Sequence, residues 1–257
     1  MTSKEKYIAF QTILIKEILR FARIWMQTIL PPMITTALYF IIFGNLIGSQ
    51  IGDMDGYKYM DYIVPGLILM AIITNSYSNV VSSFYSAKYQ NHIQEMLVAP
   101  LPNYVILLGF VAGGVARGLA VGIAVTLVSL FFSELSIAHL GITLSIALLT
   151  AVLFSLAGLI NGIYANSFDD ISIIPTFVLT PLTYLGGIFY SISMLPSFWQ
   201  DVSLANPILY MVNGFRYGIL GSSDITPITS FALIGIFIIA LYLFALSLLK
   251  KGHGTRS

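Results

Sequence analysis

Leu140-Gly141-Ile142-Thr143-Leu144-Ser145-Ile146-Ala147-Leu148-Leu149 opens a run that continues to Tyr164 without one Asp, Glu, Lys or Arg. As an α-helix, residues 140–164 would extend about 37 Å at ~1.5 Å per residue, enough to cross a hydrocarbon core of ~30 Å. The run is continuous and shows no two-residue alternation, which removes the membrane β-strand as a competitor. A helix crossing lipid is the reading that satisfies the backbone, because every hydrogen bond then closes within the segment.

Working outward on the same criterion, five further spans emerge at about 24–48, 62–84, 104–132, 171–190 and 228–249. The third is interrupted once, by Arg117, and a proline-punctuated stretch at 191–224 separates the last two. Of the 257 residues, 57% are hydrophobic and only 9% charged. A soluble domain carries roughly 25% charged residues, so lipid is the solvent for most of this chain. The fold class read from this pattern is an all-α polytopic membrane protein, a single domain without internal repeats.

Charge is segregated even though the net value is only +1, which gives no whole-molecule case for a nucleic-acid partner. Lys4, Lys6, Lys16, Arg20, Arg23, Lys88, Lys250, Lys251 and Arg256 fall on one side of a six-span topology, against Lys58 and Arg216 on the other with Asp53, Asp55, Asp61, Glu134, Asp201 and Asp224. Basic residues are retained in short cytoplasmic loops, so both termini are expected in the cytoplasm. Residues 4–23 are too charged to span. Ile8, Ile15, Ile18, Ala22 and Trp25 on one side, with Thr12, Lys16, Arg20 and Arg23 on the other, predict an amphipathic helix on the cytoplasmic membrane surface. That segment lacks the apolar core and small-residue cleavage site of a signal peptide, so the N-terminus is expected to be retained. Cysteine is absent, which excludes disulfides and thiolate chemistry.

Several residues stand out within the spans. Arg117 is the one formal charge inside a predicted span, and two readings remain open: a functional group, or a side chain snorkelling to the inner boundary. Around it Gly109 and Gly113, then Gly114, Gly118 and Gly122, recur at four-residue steps, the pattern that lets helix backbones approach closely in lipid. The second span carries Thr74, Asn75, Ser76, Ser78, Asn79, Ser82 and Ser83, too many polar groups to face hydrocarbon without a neighbouring helix or a wet cavity. Pro175, Pro181 and Gly186-Gly187 predict a bent fifth helix, with Thr176, Thr180 and Thr183 able to re-satisfy freed carbonyls. Asn75, Ser78, Asn79, Ser82, Thr180, Thr183 and Tyr184 are the candidates for lining a pathway. Pro196, Phe198, Trp199, Asn206, Pro207, Tyr210 and Arg216 describe a re-entrant or surface hairpin of short helices with interfacial aromatic anchors. In the cytoplasmic loop after the second span, Glu95-Met96-Leu97-Val98-Ala99-Pro100 exposes apolar side chains that call for a cover.

Catalytic signatures are missing from the chain. It has no phosphate-binding loop, no zinc-protease or nucleophile-elbow motif, and no dinucleotide fingerprint. His92, His139 and His253 lie in separate loops without ligand spacing, and Asp169-Asp170 reads as a solvated turn. Neither a metal nor a cofactor is expected in this chain.

The chain resembles the ABC-2 family of bacterial ABC exporter permeases over essentially its whole length. The resemblance is carried by Tyr39-Phe40-Ile41-Ile42-Phe43-Gly44, Ile63-Val64-Pro65-Gly66-Leu67, Glu95 to Pro100, and Phe168-Asp169-Asp170-Ile171-Ser172. Later stretches add Pro181-Leu182-Thr183-Tyr184-Leu185-Gly186-Gly187-Ile188-Phe189-Tyr190, Asn206-Pro207 and Gly214-Phe215-Arg216-Tyr217-Gly218. It implies the ABC-2 exporter fold and a dimer of six-helix permeases, or a paired equivalent, in the bacterial inner membrane, on two copies of a separate ATPase that binds ATP and Mg. By position, the N-terminal helix, with Ile15 and Ile18, and the loop residues Glu95, Met96, Leu97, Val98 and Pro100 would receive motion from that ATPase. The 191–216 segment would be the external hairpin. An ion-coupled carrier and an intramembrane lipid-modifying enzyme are the competing classes. The first lacks a proton-shuttling group at the midplane, since arginine stays charged, and the second lacks a convergent catalytic set.

Overall fold

Thr2 starts the first helix with a reciprocal cap. Its hydroxyl accepts from the Glu5 N–H, and the Glu5 carboxylate accepts from the Thr2 N–H at 2.9 Å. The computed structural model describes residues 1–54 and 56–252; Asp55, His253 and Arg256 lie outside the described residues. Helix α1 is Ser3–Arg23, followed by the turn α2 at Trp25–Thr28. The first apolar crossing comprises α3 at Leu30–Tyr39, a wider π-helical stretch at Phe40–Ile47 and α4 at Gly48–Ile51. A two-residue hairpin of β1 (Asp53–Met54) and β2 (Tyr57–Lys58) then turns the chain into α5, Tyr59–Tyr89. Beyond it come α6 at His92–Val98, α7 at Asn103–Ser129 and α8 at Leu140–Tyr164.

The later part is more broken: α9 is Asp170–Ile174, α10 is Thr180–Tyr184, and a π-helical turn at Pro175–Leu179 joins them. A 3-10 turn at Ile192–Met194 precedes α11 (Ser197–Leu204), α12 (Pro207–Leu220) and the last long helix, α13 (Pro227–Lys251). Among the described residues, five helical stretches are long and apolar enough to cross a membrane: Trp25–Gly44, Tyr59–Tyr89, Asn103–Ser129, Leu140–Tyr164 and Pro227–Lys251.

The fifth predicted span, 171–190, differs from expectation. The bent helix from Asp170 ends at Tyr184, and fifteen helical residues cover only about 22 Å. Gly187 takes φ +69° in the turn that follows, a conformation a side chain resists, so the glycine pair that was read inside the span ends it. The two prolines, each unable to donate a backbone hydrogen bond, lie at Pro175 and Pro181 on either side of the π-helical turn.

α5 is the axis of the molecule, buried nearly all round by α7, α8 and α12. Its core face includes Tyr62, Ile63, Leu69, Ile73 and Tyr77. Contacts pair Gly114, Gly118 and Gly122 of α7 with Val80, Ser76 and Ile72, so α7 runs antiparallel to α5. Gly158 and Gly162 of α8 meet Tyr77 and Phe84, which makes α8 parallel to it. α12 is antiparallel to the first half of α8, with Gly214 against Ile146 and Gly218 against Thr143. α13 packs on α8 and α12.

Candidate functional site

The polar residues of α5 separate onto different neighbours. Ser83 and Asn79 face α1, Ser76 lies under Gly118 of α7, and Asn75 accepts a hydrogen bond from Arg117 Nη2 at 3.2 Å. Thr74, Ser78 and Ser82 lie on the side that no helix fully covers, and Ser82 returns its hydroxyl to the Ser78 carbonyl at 2.7 Å. Part of the polar set is therefore packing chemistry and part lines open space.

Arg117 sits midway along α7, roughly 20 Å of helix from either end. Its guanidinium turns inward to Asn75. Its buried Nε has no hydrogen-bond partner, and the nearby Arg20 repels it.

α1 docks on α7 through residues that the sequence did not single out. Ile13, Glu17 and Phe21 are buried, whereas Ile8, Ile15 and Ile18 remain exposed. The pairs Ile13–Gly109 and Glu17–Gly113 show α1 running alongside α7 in the same direction. Glu17 is fully buried; its carboxylate accepts from Ser83 Oγ at 2.7 Å and from Arg20 Nε at 3.3 Å. Arg20 in turn donates to the Asn79 carbonyl and side-chain oxygens at 3.0 and 2.7 Å. A buried charge needs such partners. Glu17 was missed from sequence because it stood as one of two acids, with Glu5, in a basic segment; its spacing of three from Arg20 was the available signal.

The four-residue glycine steps resolve into two stripes. Gly109 and Gly113 admit α1, and Gly114, Gly118 and Gly122 admit α5. A Cβ on any of the five would lie under 3.0 Å from a neighbouring atom, so a side chain there must displace something across the contact.

A cleft of about 280 Å³ opens between α3 and α5, lined by Pro31, Thr35, Thr36, Tyr39, Thr74 and Asn75 among others. Tyr39 at its rim approaches the Tyr184 hydroxyl at 3.4 Å and joins Phe43 and Phe189 in a ring cluster with centroids 5.2 to 5.8 Å apart. Of the pathway candidates only Asn75 lines this cleft. Ser78, Asn79 and Ser82 lie further along α5, Thr183 is buried and donates to the Thr180 carbonyl, and Thr180 donates to the Pro175 carbonyl. The helix from Asp170 to Tyr184 leaves Phe177 74% exposed, with Ile173, Val178 and Tyr184 also uncovered.

At the other end, Glu95 to Pro100 forms the end of α6 and the turn beyond it. Val98 is 88% exposed, while Met96 and Leu97 pack partly onto the core under Ile93; the projecting apolar group is Val98 alone. Lys88 donates to the Ile163 and Ala165 carbonyls at 2.9 and 2.6 Å, capping α8. Asp170 accepts from the Asn166 and Ser167 N–H groups, and these bonds hold its carboxyl below the ordinary range. Among the described residues no three His, Asp or Glu form a metal-binding group.

Arg216, counted on the outer side and placed in the hairpin, is 1% exposed, lies 3.9 Å over the Tyr62 ring and donates to the Gly187 carbonyl at 2.6 Å. It ties α12 to α5 and to the turn that ends the bent helix. Asn206 caps α12 through the Ile208 N–H and donates to the Leu182 carbonyl at 2.6 Å, with Pro207 in the first turn. Pro196 precedes α11, where Phe198 and Trp199 are exposed in edge-to-face contact.

Comparison with known proteins matches residues 8–220 to the ABC-2 type transporter family. The chain is 60% identical over 252 residues to the inner membrane transport permease YadH of Escherichia coli K12, covering 98% of each. It is also 21% identical over 227 residues, 88% of each chain, to nodulation protein J of Rhizobium leguminosarum bv. viciae. With the apolar helices, the glycine-mediated bundle and a match across most of its length, the chain belongs to the ABC-2 type transporter family, as a membrane permease of its YadH-like branch.

Proposed function

We propose that this chain is the membrane half of an ATP-driven exporter in the inner membrane, working as a homodimer on two copies of a separate ATPase that binds ATP and Mg. The name of its relative YadH, an inner membrane transport permease, supports the location and the class. In this reading the bent helix from Asp170 to Tyr184 is the sixth crossing element, α11 and α12 form the external hairpin, and both termini are cytoplasmic. The observation that carries the proposal is the uncovered polar face of α5, with Thr74 exposed and Ser78 and Ser82 half-buried, in a molecule that also leaves the apolar helix at Phe177 uncovered. A second copy would enclose both and complete an amphipathic path.

ATP can drive such a path only if the ATPase binds two arrangements of the permease with different affinity. The surfaces that would carry that difference are Val98 with Glu95 and Pro100 on the α6 turn, and the exposed Ile15 and Ile18 of α1. The test is co-expression with a candidate phosphate-loop ATPase subunit, followed by affinity purification and assay of ATP hydrolysis in vesicles. The wild type should retain the ATPase, and Val98→Asp, a change at an 88% exposed position, should lower its recovery about tenfold while leaving membrane insertion intact. Full recovery with Val98→Asp removes α6 from the coupling surface. Ion-driven uptake by the purified chain without nucleotide would instead establish the carrier class.

A further inference from the structure

Arg117 is an anomaly among the charges of this bundle. Arg20 has the Glu17 carboxylate and two oxygens of Asn79. Arg117 has five N–H groups and, among the described residues, one neutral acceptor, Asn75, with its Nε buried and unsatisfied. No carboxylate lies within ion-pair distance of it among the described residues, and Arg20 is a like charge close enough to act on it. The buried Glu17 carboxylate is taken by Arg20, which leaves the charge of Arg117 uncompensated within the bundle. Such a charge is costly without an anion.

The position of Asn75 shows where that anion would come from. The same side chain that accepts from Arg117 lines the cleft between α3 and α5, next to Thr74 and opposite Thr35. The remaining walls there are largely apolar, with Pro31, Leu67 and Met70. One end of the cleft therefore offers hydroxyl and amide groups backed by excess positive charge, and the rest suits hydrocarbon. We infer that the α3–α5 cleft takes an exchangeable anionic amphiphile, its oxyanion headgroup drawn to Arg117 and Asn75 and its chain lying along the apolar wall. As the class of cargo, this rests on the permease reading above; as a binding site, it does not.

The experiment is equilibrium binding to the purified full chain in a neutral detergent, using lysophosphatidate, a fatty carboxylate and lysophosphatidylcholine of one chain length. Wild-type protein should bind the two anionic probes saturably and reversibly, about tenfold more tightly than the zwitterionic one, the scale of one charge-assisted hydrogen bond. Arg117→Gln should abolish that preference, and Arg117→Lys should retain part of it. Should Arg117→Gln fail to give a monodisperse protein, Thr74→Trp, at an exposed position of the cleft wall, should displace the anionic probes from an intact fold. Equal affinity for all three probes, an unchanged preference in Arg117→Gln or Thr74→Trp, or a co-purified lipid that no probe displaces would each overturn the inference. The two readings fail separately. Charge-selective binding without an associating ATPase leaves the site and removes the exporter, whereas an associating ATPase without charge selectivity does the reverse.

Discussion

Gly158 offers the sharpest test of the packing. A Cβ added there would stand 2.5 Å from the Tyr77 carbonyl oxygen and 3.2 to 3.3 Å from the Tyr77 carbonyl carbon and Cα. Ordinary contact begins near 3.4 Å, so α8 and α5 would have to separate by roughly 0.9 Å, and the obstacle is backbone that has no rotamer to yield. At Gly118 the closest atom is instead Ser76 Oγ, the end of a small side chain with no hydrogen bond to lose, and the nearest backbone atom, the Ile72 carbonyl oxygen, stands further off at 3.2 Å. Gly235 on α13 has nothing within 4 Å of the added carbon. Overpacking costs about 1–3 kcal/mol, and replacing a helical glycine by alanine returns up to about 1 kcal/mol. Gly158→Ala should therefore lose about 2 kcal/mol net, Gly118→Ala should fall between zero and about 1 kcal/mol of loss, and Gly235→Ala should be neutral or slightly stabilised. For a chain of this size these correspond to apparent Tm changes of about −4 to −8 °C, 0 to −4 °C and 0 to +3 °C, read by thermal unfolding in a single detergent. Gly158→Ala unfolding at the same temperature as Gly235→Ala would refute the backbone-contact argument.

Two further outcomes follow from the buried charges. Arg216→Lys keeps the charge but loses the planar stack on Tyr62, and should lower stability by about 2 kcal/mol; an unchanged melting temperature would remove Arg216 as the tie between α12 and α5. Glu17→Gln and Arg20→Gln should each destabilise the chain, and the double variant should lose less than their sum by about 1–3 kcal/mol. Additive losses would show that α1 is not held by this pair.

The helical spans were legible because hydrophobicity is a property of each residue and accumulates along one segment: 140–164 as read coincides with α8, and the glycine steps, the bent Pro175–Pro181 helix and the polar burden of α5 were visible for the same reason. The end of the bent helix was read too far along, since Gly187 counts as apolar whether it continues a helix or turns out of one. The docking face of α1 was not legible because amphipathicity ranks residues by affinity for water, whereas α1 is docked through the buried Glu17 and its partner Arg20, an ion pair whose value depends on Ser83 and Asn79 more than fifty residues away.

Local chemistry thus determined which segments become helices and that most of them lie in lipid. Only the tertiary structure decided that Gly109 receives α1 while Gly114 receives α5, that Arg216 is buried, and that Arg117 faces Asn75 and no carboxylate. Close approach and charge compensation are relations between two surfaces, and in helices that are apolar nearly all round no periodicity in either one names its partner.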